Sequence, residues 1–261
     1  MNTNDFKTRT EIIEEQSTCP EGYWVLGLDT GYSSVKGQSQ NKRFAFPYYA
    51  KKVPEGRAFL REAEDSDIRY RDETGEWVVG KLAYDEVNAK EIVDSEQELT
   101  GRHRFFTDIF RVTTRTGIAL GLMPNKYGSC EDKHIMIEAG LPPKYINDAV
   151  DLREALCGKH DFEVKVGAGN WIKYSIELKE NDIQVMPQPL GSLVSASTNA
   201  NGRQLKTAIQ YWSGNVIVFD PGYGTLDTYI VKRGQVIGKG ETFPEYGMHE
   251  VFARTCRDIK K

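Results

Sequence analysis

The sequence is poor in the residues that mark disulfide-rich and metal-binding proteins. Its 261 residues include only four cysteines and four histidines, and no CxxC pair or other ligand spacing occurs among them. The cysteines are Cys19, Cys130, Cys157 and Cys256. We therefore expect free thiols in a reducing compartment, since a chain of this length can bury a core without disulfides.

The chain also lacks a long apolar run and an excess of positive charge. No segment is apolar over the length that crosses a bilayer, and no charged start leads into an apolar stretch. With 34 Lys and Arg against 38 Asp and Glu, the formal net charge is −4. Direct nucleic-acid binding and membrane binding are therefore not expected. The composition predicts a soluble cytoplasmic protein.

A carboxylate-tipped hairpin is present at residues 216–230, VIVFDPGYGTLDTYI. An apolar run ends at Asp220, a glycine turn follows, and an alternating run leaves it, which predicts two strands joined by a tight turn. Gly222 and Gly224 can adopt positive φ and leave backbone N–H groups open to an anion. Thr225 adds a hydroxyl group.

A similar hairpin is predicted at residues 23–36, YWVLGLDTGYSSVK. Here the strand ends at Asp29, Gly31 lies in the turn, and the outgoing strand carries Lys36. Two such hairpins could face each other across a cleft. Phosphate would then lie on the backbone amides and the lysine, and the carboxylates would hold a hydrated magnesium ion.

The remaining pattern predicts an α/β layer fold with the order βββαβαβ over the first 200 residues. The predicted strands are 24–29, 33–39, 43–46, 134–139 and 183–186, with a hairpin of 162–166 and 171–178, and the predicted helices are 105–122 and 144–156. Residues 192–212 are expected to be helical in part. A strand at 235–240 and a helix near Met248 follow the second hairpin.

We divide the chain into three parts. Residues 1–22 form a polar arm, expected to be mobile, with a short helical pattern at 10–16. Residues 23–212 form a first domain with a charged insertion at about 48–100, and residues 213–261 begin a second domain. The arginines near the 105–122 helix are interpreted as a solvated or carboxylate-paired helix face. They are Arg102, Arg104, Arg111 and Arg115.

With both hairpins in place, the segment 185–193, VMPQPLGSL, resembles the inter-domain connection of the superfamily of actin, the heat-shock chaperone ATPases and the sugar kinases. Its members bind ATP between two RNase-H-like domains, and the hairpins resemble its phosphate-1 and phosphate-2 motifs. Three further motifs look most like the ATP-driven filament proteins of the ParM/StbA plasmid-segregation type. They are Phe46-Pro47, Trp77 to Ala83 and Gly140 to Tyr145. The resemblance covers about residues 23–250.

By position, the resemblance implies an MgATP site. Asp29 and Asp220 would face magnesium, mainly through water. The phosphates would contact Gly31, Ser33, Lys36, Gly222, Gly224 and Thr225. Gln188 would orient the attacking water, where related filament proteins often have Glu. An amide cannot take the proton of that water, so Gln188, Asp29 and Asp220 would support only slow hydrolysis.

The resemblance further implies self-association into dynamic filaments that segregate plasmids or other DNA, with a DNA-binding adaptor as partner. The expected fold is actin-like, with an RNase-H-like first domain and an incomplete second one. The family's second domain continues beyond phosphate-2 and includes an adenosine-binding turn. We therefore expect a fragment or a chain completed by another, with an apolar face left uncovered.

Other functions fit parts of the sequence. A nucleotide-binding scaffold without turnover and a small-molecule kinase of the same superfamily would share the site. An aspartic protease is suggested by Asp29-Thr30-Gly31 with Asp220 as the second carboxylate, but Pro221 replaces the hydroxyl residue of such a loop and the middle of the chain reads helical. Inert turns would need neither Lys36 nor a second copy.

Overall fold

The computed structural model describes residues 9–57, 61–86, 102–199 and 201–259. The strands are β1 (Glu11–Glu14), β2 (Tyr23–Thr30), β3 (Ser34–Gln38), β4 (Lys42–Pro47), β5 (Ala50–Lys52), β6 (Ile68–Asp72), β7 (Gly75–Val79), β8 (His134–Leu141), β9 (Gly158–Val166), β10 (Ile172–Leu178), β11 (Ile183–Pro187), β12 (Asn215–Pro221), β13 (Leu226–Lys232) and β14 (Gln235–Phe243). The α-helices are α1 (Lys81–Glu86), α2 (Asp108–Leu122), α3 (Ala149–Leu156), α4 (Gln188–Ser197), α5 (Ala208–Ser213) and α6 (Met248–Ile259). Short 3-10 helices span Arg102–Phe106, Pro143–Asp148, Glu180–Asp182 and Pro244–Tyr246.

The main sheet has the strand order β1-β4-β3-β2-β8-β11. Strands β2, β3 and β4 form the predicted antiparallel meander, and β8 and β11 run parallel to β2 and to each other. The predicted βββαβαβ order is confirmed, with the β9–β10 hairpin between α3 and β11. Because parallel strands end at the same edge, the sheet brings the ends of β2, β8 and β11 together.

Helix α2 packs closely on β2 because two of its residues lack side chains. A Cβ on Gly117 would lie 2.8 Å from Leu28 Cδ1, and one on Gly121 would lie 2.5 Å from Leu26 Cδ1. The indole nitrogen of Trp24 donates to the Gly121 carbonyl at 3.0 Å. The helix predicted at 105–122 is thus confirmed, with a 3-10 turn before residue 108.

A second sheet has the order β10-β9-β6-β7-β5. The described part of the charged segment 48–100 supplies β5, β6, β7 and α1. The inner face of this second sheet packs into the same core as the main sheet. There the ring of Phe162 stacks on the rings of Tyr70 and Tyr174, with centroid distances of 5.6 and 5.4 Å. Residues 58–60 and 87–100 of this segment lie outside the described residues.

A three-stranded sheet, β12-β13-β14, follows the connecting helices. One face packs on α4 and α5 through Leu193, Tyr229 and Val231. The other face is open: Ile217 is 58% exposed and Phe219 is 64% exposed. The expected uncovered apolar face is therefore present.

The helical pattern predicted at 10–16 is wrong, because residues 11–14 form the edge strand β1. Ile12 pairs with Phe44 of β4 and packs against the core, and strand pairing overrides local propensity there. This strand ties part of the polar arm to the sheet, whereas residues 1–8 lie outside the described residues.

Two further expectations can be compared with the structure. All four cysteines lie in the described residues and are free thiols, as predicted. Within the described ranges, no helix combines the length and the apolar composition that crossing a bilayer requires. The helices in the middle of the chain also exclude the β-rich fold of an aspartic protease.

Candidate functional site

The two carboxylate-tipped hairpins face each other across a cleft of about 810 Å³. The cleft lies at the edge of the main sheet where β2, β8 and β11 end. All of the predicted site residues line it. They are Asp29, Gly31, Ser33, Lys36, Gln188, Asp220, Gly222, Gly224 and Thr225.

In the first hairpin, Asp29 and Lys36 lie opposite each other on β2 and β3. The Lys36 ammonium is 4.0 Å from Asp29 Oδ2. Burial raises the pKa of the Asp29 carboxyl above its usual range, and the charges of Lys36 and Arg104 offset only part of this rise. The Asp220 charge adds to it. Both hairpin carboxyls line the same cleft.

Gln188 is the first residue of α4 and follows directly on β11. Its side-chain amide donates to Asp29 Oδ1 at 3.1 Å. A Cβ on Gly140 of β8 would lie 2.8 Å from Gln188 Cγ, so only glycine lets this side chain cross β8. The Gln188 amide, at the end of β11, thus lies beside the Asp29 carboxylate, near the end of β2.

In the second hairpin, Asp220 lies directly opposite Asp227 in the β12–β13 pair. Burial raises the pKa of the Asp220 carboxyl, and the Lys36 charge and a hydrogen bond with Ser192 lower it in part. The turn is tight, since a Cβ on Gly222 would lie 3.1 Å from the Thr225 carbonyl oxygen. The Gly222 N–H donates to the Asp220 carbonyl oxygen at 3.0 Å within this turn, and Gly224 and Thr225 line the cleft beside it.

Asp227 is a site residue that the sequence analysis did not single out. It is 2% exposed and accepts a hydrogen bond from the Thr225 hydroxyl at 3.0 Å, while its Oδ1 atom has no hydrogen-bond partner in the described residues. Burial raises the pKa of this carboxyl. Its place opposite Asp220 across a predicted hairpin was the signal that could have identified it.

The interpretation of Arg104 as part of a solvated or carboxylate-paired helix face is wrong. Arg104 lies in the 3-10 turn before α2, is 7% exposed and lines the cleft. Its guanidinium donates to the Thr30 carbonyl and lies 4.9 Å from the centre of the Tyr32 ring. Carboxylate pairing is confirmed for Arg111 and Arg115, which both contact Asp72.

The hairpin tips also touch each other directly. A Cβ on Gly224 would lie 2.6 Å from the Tyr32 ring, so the aromatic side chain of the first tip packs on the bare backbone of the second. Arg104, Tyr32 and Gly224 therefore form a continuous contact from one side of the cleft to the other.

The residues of the cleft fit a hydrated magnesium ion. Among the described residues, no three His, Cys, Asp or Glu side chains are grouped closely enough to hold a metal directly. Asp29 and Asp220 nevertheless face the same cavity, and Asp227 adds an unpartnered buried oxygen. Carboxylate oxygens are the donors that Mg²⁺ prefers, and it commonly keeps several waters and is completed by phosphate oxygens.

The chain is similar to known proteins in its sequence family and in its fold. Residues 27–191 match the family described as "Actin like proteins N terminal domain". The comparison with curated protein sequences found no match.

Three similar solved structures are ParM proteins. The pCBH ParM non-polymerisable quadruple mutant is 21% identical, with a TM-score of 0.62, over 88% of this chain and 66% of that chain. The apo psk41 parM protein is 16% identical, with a TM-score of 0.62, over 92% and 72%. A chain of the 15-stranded ParM filament from Clostridium botulinum is 19% identical, with a TM-score of 0.55, over 91% and 70%. These similarities are similarities of fold, and the present chain spans about two thirds of the length of these proteins.

Proposed function

Because the chain belongs to the actin-like proteins, whose N-terminal domain it matches over residues 27–191, we propose that it binds MgATP between the two hairpins, hydrolyses it slowly and self-associates into filaments. The convergence of both hairpins on one cleft of about 810 Å³ carries this proposal. The Lys36 ammonium lies 4.0 Å from the Asp29 carboxylate in that cleft. The Gln188 amide donates a hydrogen bond to the same carboxylate. This arrangement suits a polyphosphate rather than a neutral ligand.

In this proposal the phosphates lie between the two turns. Lys36 contributes a positive charge, and the turns that contain Gly31 and Gly224 contribute backbone N–H donors. Magnesium, when bound, neutralises charge on the phosphates. Asp29 and Asp220 hold it mainly through its waters, as their positions on opposite sides of the cavity allow.

Gln188 orients the attacking water in this proposal. Its amide is already fixed by the hydrogen bond with Asp29, so the side chain is preorganised. An amide cannot accept the proton of the water at neutral pH, which agrees with slow turnover. Slow turnover suits a filament in which hydrolysis times disassembly.

We extend the proposal to filament dynamics. MgATP closes the cleft and favours polymerisation, and hydrolysis favours disassembly, because each nucleotide stabilises a different separation of the hairpins. The C. botulinum ParM structure is described as a filament. Plasmid or other DNA is the proposed cargo in the cytoplasm. An adaptor protein links the two, since the net charge of −4 does not favour direct DNA binding.

Light scattering of the purified protein on addition of MgATP, MgADP or buffer tests the proposal, with released phosphate followed in the same cuvette. We expect MgATP, but not MgADP, to raise scattering above its level in buffer, and the signal to return to that level as phosphate appears. Asp29→Ala and Asp220→Ala should each remove metal-dependent nucleotide binding, because each takes a carboxylate from one side of the cleft.

Each alternative outcome identifies a different function. Normal MgATP affinity in both variants would disprove the site. Tight binding without phosphate release would identify a nucleotide-binding scaffold. Phosphate release that depends on an added sugar or carboxylic acid would identify a small-molecule kinase.

A further inference from the structure

Arg104 is a buried cation that has no carboxylate partner in the part of the chain that the structure describes. Its side chain is 7% exposed, and its guanidinium forms no ion pair with the carboxylates of the described residues. One of its terminal nitrogens donates to the carbonyl and hydroxyl of Thr30, and its Nε has no hydrogen-bond partner in the described residues. By contrast, Arg111 and Arg115 both contact the carboxylate of Asp72.

Burying the Arg104 guanidinium without a counter-charge costs free energy. Removing a guanidinium from water is unfavourable unless a counter-charge and hydrogen-bond acceptors replace the lost hydration. The carbonyl and hydroxyl of Thr30 replace part of the lost hydration. The rings of Tyr32 and Phe105, with centroids 4.9 and 5.3 Å from the guanidinium carbon, add cation–π attraction. The remaining need is for an anion, and Arg104 lines the cleft where one can bind.

The side chain is also held in place before any ligand arrives. The Thr30 carbonyl that accepts its hydrogen bond adjoins Asp29, and the ring of Tyr32 covers the guanidinium. The Tyr32 ring in turn rests on Gly224 of the opposite hairpin. Arg104 is therefore positioned at the point where the two hairpin tips meet.

We propose that Arg104 binds the terminal phosphate of the nucleotide and thereby lets the cleft distinguish ATP from ADP. This inference rests on the proposed function. Its charge acts on Asp29, the carboxylate that also accepts from Gln188. Arg104 donates to Thr30 and Gln188 donates to the adjacent Asp29, so both side chains reach the end of β2, where the proposed function has water attack the terminal phosphate.

Calorimetric titration of the full chain with MgATP and with MgADP tests this assignment, in the wild type and in Arg104→Gln. Loss of a charged contact to the terminal phosphate should weaken MgATP binding by about tenfold or more. MgADP binding should change by less than about threefold. Arg104→Lys, which keeps the charge but not the planar group of donors, should show a smaller loss that is still selective for ATP.

Arg111→Gln is the matched control, since Arg111 lies in the first turn of α2, after the 3-10 turn of Arg104, and pairs with Asp72 and Asp108 instead. Its ratio of ATP to ADP affinity should equal that of the wild type. A shift in this control as large as that of Arg104→Gln would overturn the inference, because it would reflect general loosening of α2.

The outcomes separate this inference from the function on which it rests. A wild type that binds neither nucleotide overturns both. A wild type that binds both, with an unchanged ratio in the Arg104 variants, overturns the inference alone. If Arg104→Gln loses its cooperative thermal transition, the ratio measured in Arg104→Lys decides.

Discussion

At the scale of single residues, the site depends on glycines that leave room for functional side chains. Gly140 is the clearest case, because a methyl group there would lie 2.8 Å from Gln188 Cγ. Gly224 does the same for the ring of Tyr32. At both positions the side chain that occupies the space comes from a distant part of the chain. The need for glycine is therefore visible only in the folded molecule.

Gly140→Ala should slow phosphate release with little effect on the affinity for MgATP. The added methyl group would displace Gln188 from Asp29, and a misplaced water-orienting group costs roughly 10- to 100-fold in rate. Gln188→Ala should slow hydrolysis to a similar extent and leave assembly intact. Single-turnover phosphate release at saturating MgATP measures this effect.

Gly27→Ala is the control for this substitution. Gly27 lies on the neighbouring strand β2, and its added Cβ would meet only the Gln38 carbonyl oxygen, at an ordinary 3.8 Å. We expect a rate close to that of the wild type. A wild-type rate in Gly140→Ala as well would show that Gln188 does not act on the rate-limiting step.

At the scale of elements, helix α2 is joined to the second sheet by a buried ionic network. The Asp72 side chain at the end of β6 is fully buried and lies 3.3 Å from Arg111 Nε and 3.3 Å from a terminal nitrogen of Arg115. It also accepts from the Tyr70 hydroxyl at 2.8 Å.

Asp72→Asn should destabilise the protein by about 3 kcal/mol at pH 7, because it leaves Arg115 facing a neutral group in the interior and removes one of the two carboxylates that Arg111 contacts. Urea denaturation measures the change. Asp85→Asn, which breaks the exposed pair with Lys81, should cost less than about 1 kcal/mol. Equal effects of the two substitutions would contradict this account of the network.

The cost of Asp72→Asn should depend on pH. Burial raises the pKa of Asp72, but hydrogen bonds from Thr74 and Tyr70 and the Arg111 charge lower it further, to below its ordinary 3.8. The folded state thus favours the charged form. Its contribution is complete above the ordinary pKa and is lost as the pH falls through the folded value. The difference from wild type should therefore shrink below about pH 4.

At the scale of the whole molecule, the described residues form one well-covered body and one half-covered sheet. The two larger sheets share a core with α2 and α3. The β12-β13-β14 sheet buries only the face toward α4 and α5. Its other face forms an apolar depression of about 290 Å³, lined by residues that include Ile217, Phe219 and Tyr246.

This open face should bind apolar dyes and promote association without nucleotide, because large contiguous apolar patches on a surface are seldom left uncovered. Replacing both Ile217 and Phe219 with Ser should reduce fluorescence from a bound naphthalene-sulfonate dye and the scattering of concentrated protein in buffer. Val150→Ser is the control, since Val150 is 66% exposed but lies on α3, away from this face. Equal dye binding in the double variant and the wild type would locate the apolar patch elsewhere.

Much of the fold could be predicted from the sequence, because its signals are local. A strand, a carboxylate, a glycine turn and a returning strand follow one another within about fifteen residues in each hairpin, so their pairing needs little information from the rest of the chain. The predictions that failed are those that depend on distant partners. Within the segment 10–16, a strand forms because its residues pair with the edge strand β4. Arg104 lies in the cleft because it donates to the Thr30 carbonyl and contacts the ring of Tyr32.

The sequence by itself determined the two hairpins, the βββαβαβ order and the predicted site residues that line the cleft, but not the places of Arg104 and Asp227. The tertiary structure decided which of those residues touch. Gln188 meets Asp29 across 159 positions of the chain, and Arg104 meets Thr30 across 74. Such contacts follow from how parallel strands end at one edge and how closely a helix packs on a sheet. These are properties of the assembled layers, and no short stretch of residues contains them.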